Sequence, residues 1–127
     1  MIKTNQKPKV ETEVETLVQR SKKALAELKT YTQAQIDDLC EKVAVAALDN
    51  HMKLAKLAVE ETGRGVVEDK AIKNIYASEY IWNSIRHDKT VGILKDDDET
   101  QLMEIAEPVG IVAGVTPVTN PLSLIHI

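Results

Sequence analysis

The chain has 127 residues, a formal net charge of −4 and an apolar share of 43%, so one globular domain is expected. The acidic balance argues against non-specific binding to nucleic acid, and an aromatic share of 3% leaves few surfaces on which bases could stack. One cysteine allows no internal disulfide, no apolar run reaches the roughly 20 residues of a membrane helix, and the polar N-terminus lacks a signal-peptide core. We therefore expect a cytoplasmic protein that binds neither nucleic acid nor membranes.

Two helices are predicted in the first 49 residues. Residues 1–10 are expected to form a polar lead-in, and apolar positions with helical spacing predict a first helix over 11–28. Thr32, followed by Gln35 three residues later, is the pattern of a capping box. This pattern predicts that a second helix begins there and continues to about residue 49.

Two further helices are predicted before residue 87. Asn50 is expected to cap the third helix, and Gly63 is expected to end it in the left-handed conformation that glycine adopts easily. The fourth helix is predicted over 68–86. Its apolar residues are expected to face the core: Ile72, Ile75, Tyr76 and Trp82.

The spacing of apolar residues changes from helical to alternating near residue 91. The stretches 91–94 and 101–106 predict a β-hairpin, joined by an acidic turn at 95–99. The apolar run 111–115 predicts a buried strand. A strand followed by a polar, proline-bounded loop is typical of the start of an α/β unit, so the chain is assigned to the α/β class.

The residues that could react or bind a metal are few. Cys40 occupies an apolar position of the second helix and is expected to pack in the core rather than to react. The three histidines do not have the spacing of metal ligands, and the acidic run 96–99 lacks the spaced ligands and glycine of a calcium loop. No metal site is predicted.

The loop at 116–121, Thr-Pro-Val-Thr-Asn-Pro, is a candidate site. A loop at the carboxyl end of a parallel strand is where open α/β sheets bind ligands. Asn120, next to a proline, could present its amide as a donor to an oxyanion. The alternative is a plain Asn-Pro turn, and the residues alone leave both interpretations open.

Two stretches together resemble a known enzyme family. They are Glu61-Thr62-Gly63-Arg64-Gly65-Val66-Val67-Glu68-Asp69-Lys70 and Thr116-Pro117-Val118-Thr119-Asn120-Pro121. With shorter matches before and between them, they resemble the CoA-acylating aldehyde dehydrogenases, in particular the N-terminal end of the bifunctional aldehyde-alcohol dehydrogenases. The implied fold is an N-terminal helical segment, a β-hairpin and the first strand of an incomplete dinucleotide-binding domain.

The resemblance also implies a reaction and a site. Such enzymes convert an aldehyde, here expected to be acetaldehyde, with NAD and coenzyme A into acyl-CoA and NADH, or the reverse, and the parent protein is expected to be a homo-oligomer. Thr116, Pro117 and Val118 would line the nicotinamide side of the cofactor. Asn120 would donate to the oxyanion, with Thr119 as the alternative, because ordinary aldehyde dehydrogenases carry their asparagine one position earlier.

This chain is expected to depart from the family pattern in two ways. The nucleophilic cysteine of the family is expected beyond residue 127, and Cys40 does not match its sequence context. Residues 122–127 do not continue the family pattern and are interpreted as a non-native tail after a partial domain at 1–121. We therefore expect an inactive fragment of the enzyme. The alternative is a free-standing helical module that binds other proteins.

Overall fold

A computed structural model describes residues 9–126 of the chain, with side chains described through residue 123. Helices occupy most of the chain up to Ile85, and a two-stranded sheet follows them. The elements are α1 (Lys9–Leu28), α2 (Gln33–Asp49), α3 (His51–Thr62), α4 (Val67–Ile75), a π-helical turn (Tyr76–Tyr80), α5 (Ile81–Ile85), β1 (Gly92–Asp97), β2 (Leu102–Ala106) and a 3₁₀ helix (Pro121–His126). Most of the lead-in predicted for residues 1–10 lies outside the described residues. None of the helices within 9–126 has the length and hydropathy needed to cross a bilayer.

Local sequence signals set most of the helix ends. Thr32 caps α2 through a capping box, because its side chain accepts from the Gln35 backbone N–H while its own N–H donates to Gln35 Oε1 at 2.9 Å. Gly63 ends α3 with a φ of 63°, as predicted. Asn50 occupies the N-cap position of α3, as predicted, but its side chain makes no cap bond and instead donates to the Ala46 carbonyl in α2 at 2.8 Å.

The core of the helical layer consists of small side chains. Its buried apolar residues are Ala44, Ala47, Ala55, Ala71 and Ala77. Small residues let helix backbones approach closely, and α3 packs extensively against α4. Several larger apolar side chains of these helices, such as Leu39, Leu57 and Ile72, are exposed instead.

The predicted core face of the fourth helix is therefore partly wrong. Ile72 is 66% exposed and Tyr76 is 56% exposed, whereas Ile75 and Trp82 are half-buried. The buried stripe of this helix instead has helical spacing through its small and polar residues: Lys70, Ala71, Asn74, Ala77 and Ser78. Because Ile72 and Tyr76 lie off that stripe, they face away from α3.

A buried asparagine fastens α4 to α3. Asn74 is 2% exposed, and its Nδ2 donates to the His51 carbonyl oxygen at 2.9 Å. The His51 carbonyl belongs to the first turn of α3, so this bond fixes the relative position of the two helices. One turn further along, the Ser78 hydroxyl donates to the Asn74 carbonyl.

The predicted β-hairpin is confirmed, but its turn begins later in the chain than the acidic residues had led us to predict. The antiparallel register runs to the pair formed by Asp97 and Leu102, with a bulge at Leu94. Asp97 closes the turn because its Oδ1 accepts the backbone N–H groups of Glu99 and Thr100, each at 3.1 Å. The first residues of the acidic stretch therefore belong to β1 rather than to the turn.

The strand predicted over 111–115 is absent from the part of the chain that the structure describes. Residues 107–117 form neither helix nor strand, and Val115 is 90% exposed. A strand requires a hydrogen-bonded neighbour. Within the described residues, the sheet consists of β1 and β2 alone, and neither strand pairs with this segment. The helical segment and the hairpin of the predicted fold are confirmed.

Candidate functional site

The loop 116–121 packs against the helical layer. Pro117 and Asn120 are half-buried, whereas Thr116, Val118 and Thr119 are exposed. A cavity of about 250 Å³ separates the loop from α3 and α4, and its lining includes Glu61, Thr62 and Asn74 with Thr116, Pro117 and Val118. The loop thus has an inner side toward the helices and an outer side that is accessible to a ligand.

A lysine from α4 holds the loop. Lys70 is 6% exposed, and its Nζ donates to the Val118 carbonyl oxygen at 2.6 Å across 48 positions of sequence. No carboxylate among the described residues forms an ion pair with this ammonium group. A charged donor makes a stronger hydrogen bond than a neutral one, so this contact is a firm tether between α4 and the loop.

Gly65 makes room for that lysine. Its φ is 85°, and a Cβ atom added there would lie 2.9 Å from Lys70 Cε. The Gly-Arg-Gly sequence at 63–65 therefore does two things: Gly63 ends α3, and Gly65 leaves space for the lysine stem. The sequence analysis interpreted neither Lys70 nor Gly65 in this way, although a lysine on the buried stripe of a helix is a signal that could have identified the contact.

The two candidate oxyanion donors differ in their surroundings. Asn120 Oδ1 is buried without a hydrogen-bond partner among the described residues, while the Asn120 carbonyl accepts from the Ser123 N–H at 3.2 Å and the Ser123 hydroxyl at 2.8 Å. Thr119 is exposed. Both side chains carry a donor group, as an oxyanion requires. Thr116, Pro117 and Val118 lie next to them in the sequence, on the same short loop.

The expectation that Cys40 packs in the core is wrong. Its side chain is exposed. The buried positions of α2 are Ala44 and Ala47, one and two turns further on. Partial burial, and then the negative charge of Asp37, raise the pKa of the Cys40 thiol. A nucleophilic cysteine requires the opposite shift.

No group of three or more His, Cys, Asp or Glu side chains within residues 9–123 is placed to hold a metal ion. The acidic residues of the hairpin turn are engaged differently. Asp97 accepts from the Lys95 ammonium at 2.9 Å and from two backbone N–H groups of the turn. These contacts, first the bond from Lys95, lower the pKa of Asp97.

The helical layer, hairpin and loop match a known family. The sequence model of the aldehyde dehydrogenase family matches residues 4–126, which is nearly the whole chain. The chain belongs to the aldehyde dehydrogenase family.

Individual relatives narrow the comparison to the acylating branch. The chain is 54% identical over 122 residues to aldehyde-alcohol dehydrogenase 2 of Entamoeba histolytica, a match that covers 94% of this chain and 14% of that protein. It is 50% identical over 111 residues to the bifunctional aldehyde-alcohol dehydrogenase AdhE of Escherichia coli, a match that covers 87% of this chain and 12% of that protein. The solved acetylating aldehyde dehydrogenase of Geobacillus thermoglucosidasius superposes with a TM-score of 0.84 at 47% identity, covering 90% and 25%. The chain thus spans about an eighth of the length of the two aldehyde-alcohol dehydrogenases.

Proposed function

We propose that this chain is the N-terminal part of an NAD-dependent, CoA-acylating aldehyde dehydrogenase. The parent would interconvert an aldehyde, NAD and coenzyme A with acyl-CoA and NADH, and acetaldehyde is the proposed aldehyde. The observation that carries the proposal is the family match over residues 4–126, together with relatives whose names include an acetylating and a bifunctional enzyme. This membership favours the enzyme over the alternative of a free-standing helical interaction module.

The proposed role of this chain lies in the loop 116–121. Thr116, Pro117 and Val118 would face the nicotinamide side of the cofactor, and the exposure of Thr116 and Val118 is compatible with that role. Bound NAD would accept the hydride from the aldehyde carbon. Asn120, or else Thr119, would donate a hydrogen bond to the carbonyl oxygen as negative charge develops on it. Asn120 is half-buried in this loop, and its amide Nδ2 group is the donor that such a role would use.

The proposed nucleophile lies elsewhere in the polypeptide. The only cysteine here is Cys40, and the raised pKa of its thiol makes it a poor nucleophile at neutral pH. We therefore propose that the 127 residues alone have no dehydrogenase activity. A cytoplasmic, homo-oligomeric parent belongs to the same proposal.

The test compares the chain with its parent. The DNA that flanks the coding sequence is read for a continuing dehydrogenase frame, and the full-length parent and this chain are assayed for NADH formation with acetaldehyde, NAD and coenzyme A. We expect activity in the parent alone, dependent on coenzyme A for sustained turnover. A parent that oxidises no aldehyde would contradict the proposal, as would NADH formation by this chain that is lost on Cys40→Ala.

A further inference from the structure

Lys70 is the one lysine among the buried residues of the described chain. Lysine is rarely buried without a partner, because an ammonium group loses its hydration there. Its partner is the neutral carbonyl of Val118, not a carboxylate. A buried charge that reaches a single loop carbonyl suggests a role in the geometry of that loop.

We propose that Lys70 is a positioning residue that sets the orientation of the peptide group between Val118 and Thr119. The inference rests on the proposed function, since this peptide lies in the loop assigned to the nicotinamide side. It adds a residue and a backbone donor to that site. The donor is the Thr119 N–H.

The orientation follows from peptide geometry. The described residues contain no cis peptide, so the carbonyl of Val118 and the N–H of Thr119 point in opposite directions within one plane. Lys70 holds the carbonyl on the helical side of the loop. The Thr119 N–H therefore points away from Lys70, and no backbone hydrogen bond within the described residues engages it. It is left available to a carbonyl oxygen of a substrate or cofactor.

Gly65 is part of the same arrangement. Its missing side chain leaves the space that the end of Lys70 occupies, since a Cβ there would come within 2.9 Å of Lys70 Cε. Gly63 has a similar left-handed backbone, with a φ of 63°, but nothing lies within 4 Å of an added Cβ. Alanine at either glycine would strain the backbone, but only alanine at Gly65 would also displace Lys70. Comparing the two variants therefore distinguishes backbone strain from displacement of the lysine.

The first test uses the full-length parent with Lys70→Met, which keeps the stem and removes the ammonium. The control is Lys73→Met, which changes an exposed lysine of the same helix. We expect Lys70→Met to slow single-turnover hydride transfer at saturating NAD by about tenfold or more, because the Thr119 N–H then loses the orientation in which it would stabilise the transition state. Lys73→Met is expected to transfer hydride at the parental rate.

The second test uses the glycines, in case Lys70→Met does not fold. Gly65→Ala and Gly63→Ala both place alanine at positive φ and are both expected to lower the melting temperature. Only Gly65→Ala should also slow hydride transfer. In the 127-residue chain, acetylation of lysines followed by mass spectrometry should find Lys70 protected relative to Lys73.

The outcomes separate the two proposals. An active parent in which Lys70→Met and Gly65→Ala transfer hydride at the rates of their controls overturns the positioning role and leaves the proposed function intact. Acetylation of Lys70 as fast as that of Lys73 in the folded chain also overturns it, because the tether is then absent. A parent that forms no NADH with any aldehyde removes the proposed function, and the role of Lys70 in it falls as well.

Discussion

Gln33 and Thr90 are joined in both directions: Gln33 Nε2 donates to the Thr90 hydroxyl at 3.0 Å, and the Thr90 N–H donates to Gln33 Oε1 at 2.8 Å. The same Oε1 also accepts from the Val91 N–H at 3.1 Å. One side chain in the first turn of α2 thus holds the segment that leads into the hairpin, more than 50 residues away. It connects the helical part of the molecule to the sheet.

Gln33→Ala should destabilise the chain by about 1–2 kcal/mol, because several hydrogen bonds of a half-buried side chain are lost together. Thermal or urea unfolding measures the change. Gln19→Ala, at an exposed position of α1, is the control and should change the stability little. Equal stability of the two variants would mean that the contact between α2 and the hairpin contributes nothing.

The thiol of Cys40 should react slowly at neutral pH. Partial burial and the charge of Asp37 raise its pKa, so the rate of alkylation by iodoacetamide should increase with pH through a midpoint above that of an ordinary cysteine. Asp37→Asn should lower that midpoint. Because the folded-state pKa is raised, the associated stabilisation is complete below the pKa of the unfolded chain and is lost as pH rises through the folded value. A midpoint below that of a cysteine in a model peptide would contradict the structure.

The carboxyl group of Asp97 should titrate below the ordinary range for aspartate. The bond from Lys95 is the largest cause, followed by backbone N–H groups of the turn, so Lys95→Met should raise the pKa of Asp97 toward its usual value. Carboxyl ¹³C NMR titration measures the pKa of Asp97 in the unsubstituted chain and in the Lys95→Met variant. Because the folded-state pKa is lowered, ionised Asp97 stabilises the folded hairpin at pH values above its unfolded-state pKa. This stabilisation is lost as pH falls through the folded-state pKa. Lys23→Met, at an exposed site of α1, should leave the titration of Asp97 unchanged.

Asn120→Ala in the full-length parent should slow hydride transfer without lowering stability. A lost oxyanion donor costs on the order of 10²- to 10³-fold in turnover. The stability should hold, because Asn120 Oδ1 is buried without a partner and its removal breaks no bond of that atom. Single-turnover kinetics and the melting temperature of the same variant measure both effects.

Thr119→Ala is the companion of that variant. Normal hydride transfer in Asn120→Ala together with slow transfer in Thr119→Ala would move the donor role to the threonine hydroxyl. Normal transfer in both variants would remove both side chains from the site. In that case the Thr119 backbone N–H, which neither substitution deletes, would still be able to donate.

The sequence by itself determined the features that depend on neighbours in the chain. The capping box at Thr32 and the left-handed Gly63 arise from contacts within one turn of a helix, so their residue types are sufficient to predict them. The hairpin is local in the same sense, because its two strands are joined by a short turn. The family motifs at 61–70 and 116–121 also stood out as residue patterns.

Only the tertiary structure decided which surfaces meet. The buried stripe of α4 passes through Lys70 and Asn74 rather than Ile72, because helix packing selected the side that brings small residues against α3. The contact between Lys70 and Val118 joins two motifs that are 48 residues apart, and no periodicity in either one encodes it. The segment 111–115 has the composition of a strand, but pairing requires a second strand beside it. Residue patterns could therefore not predict which residues distant in sequence form hydrogen bonds with each other.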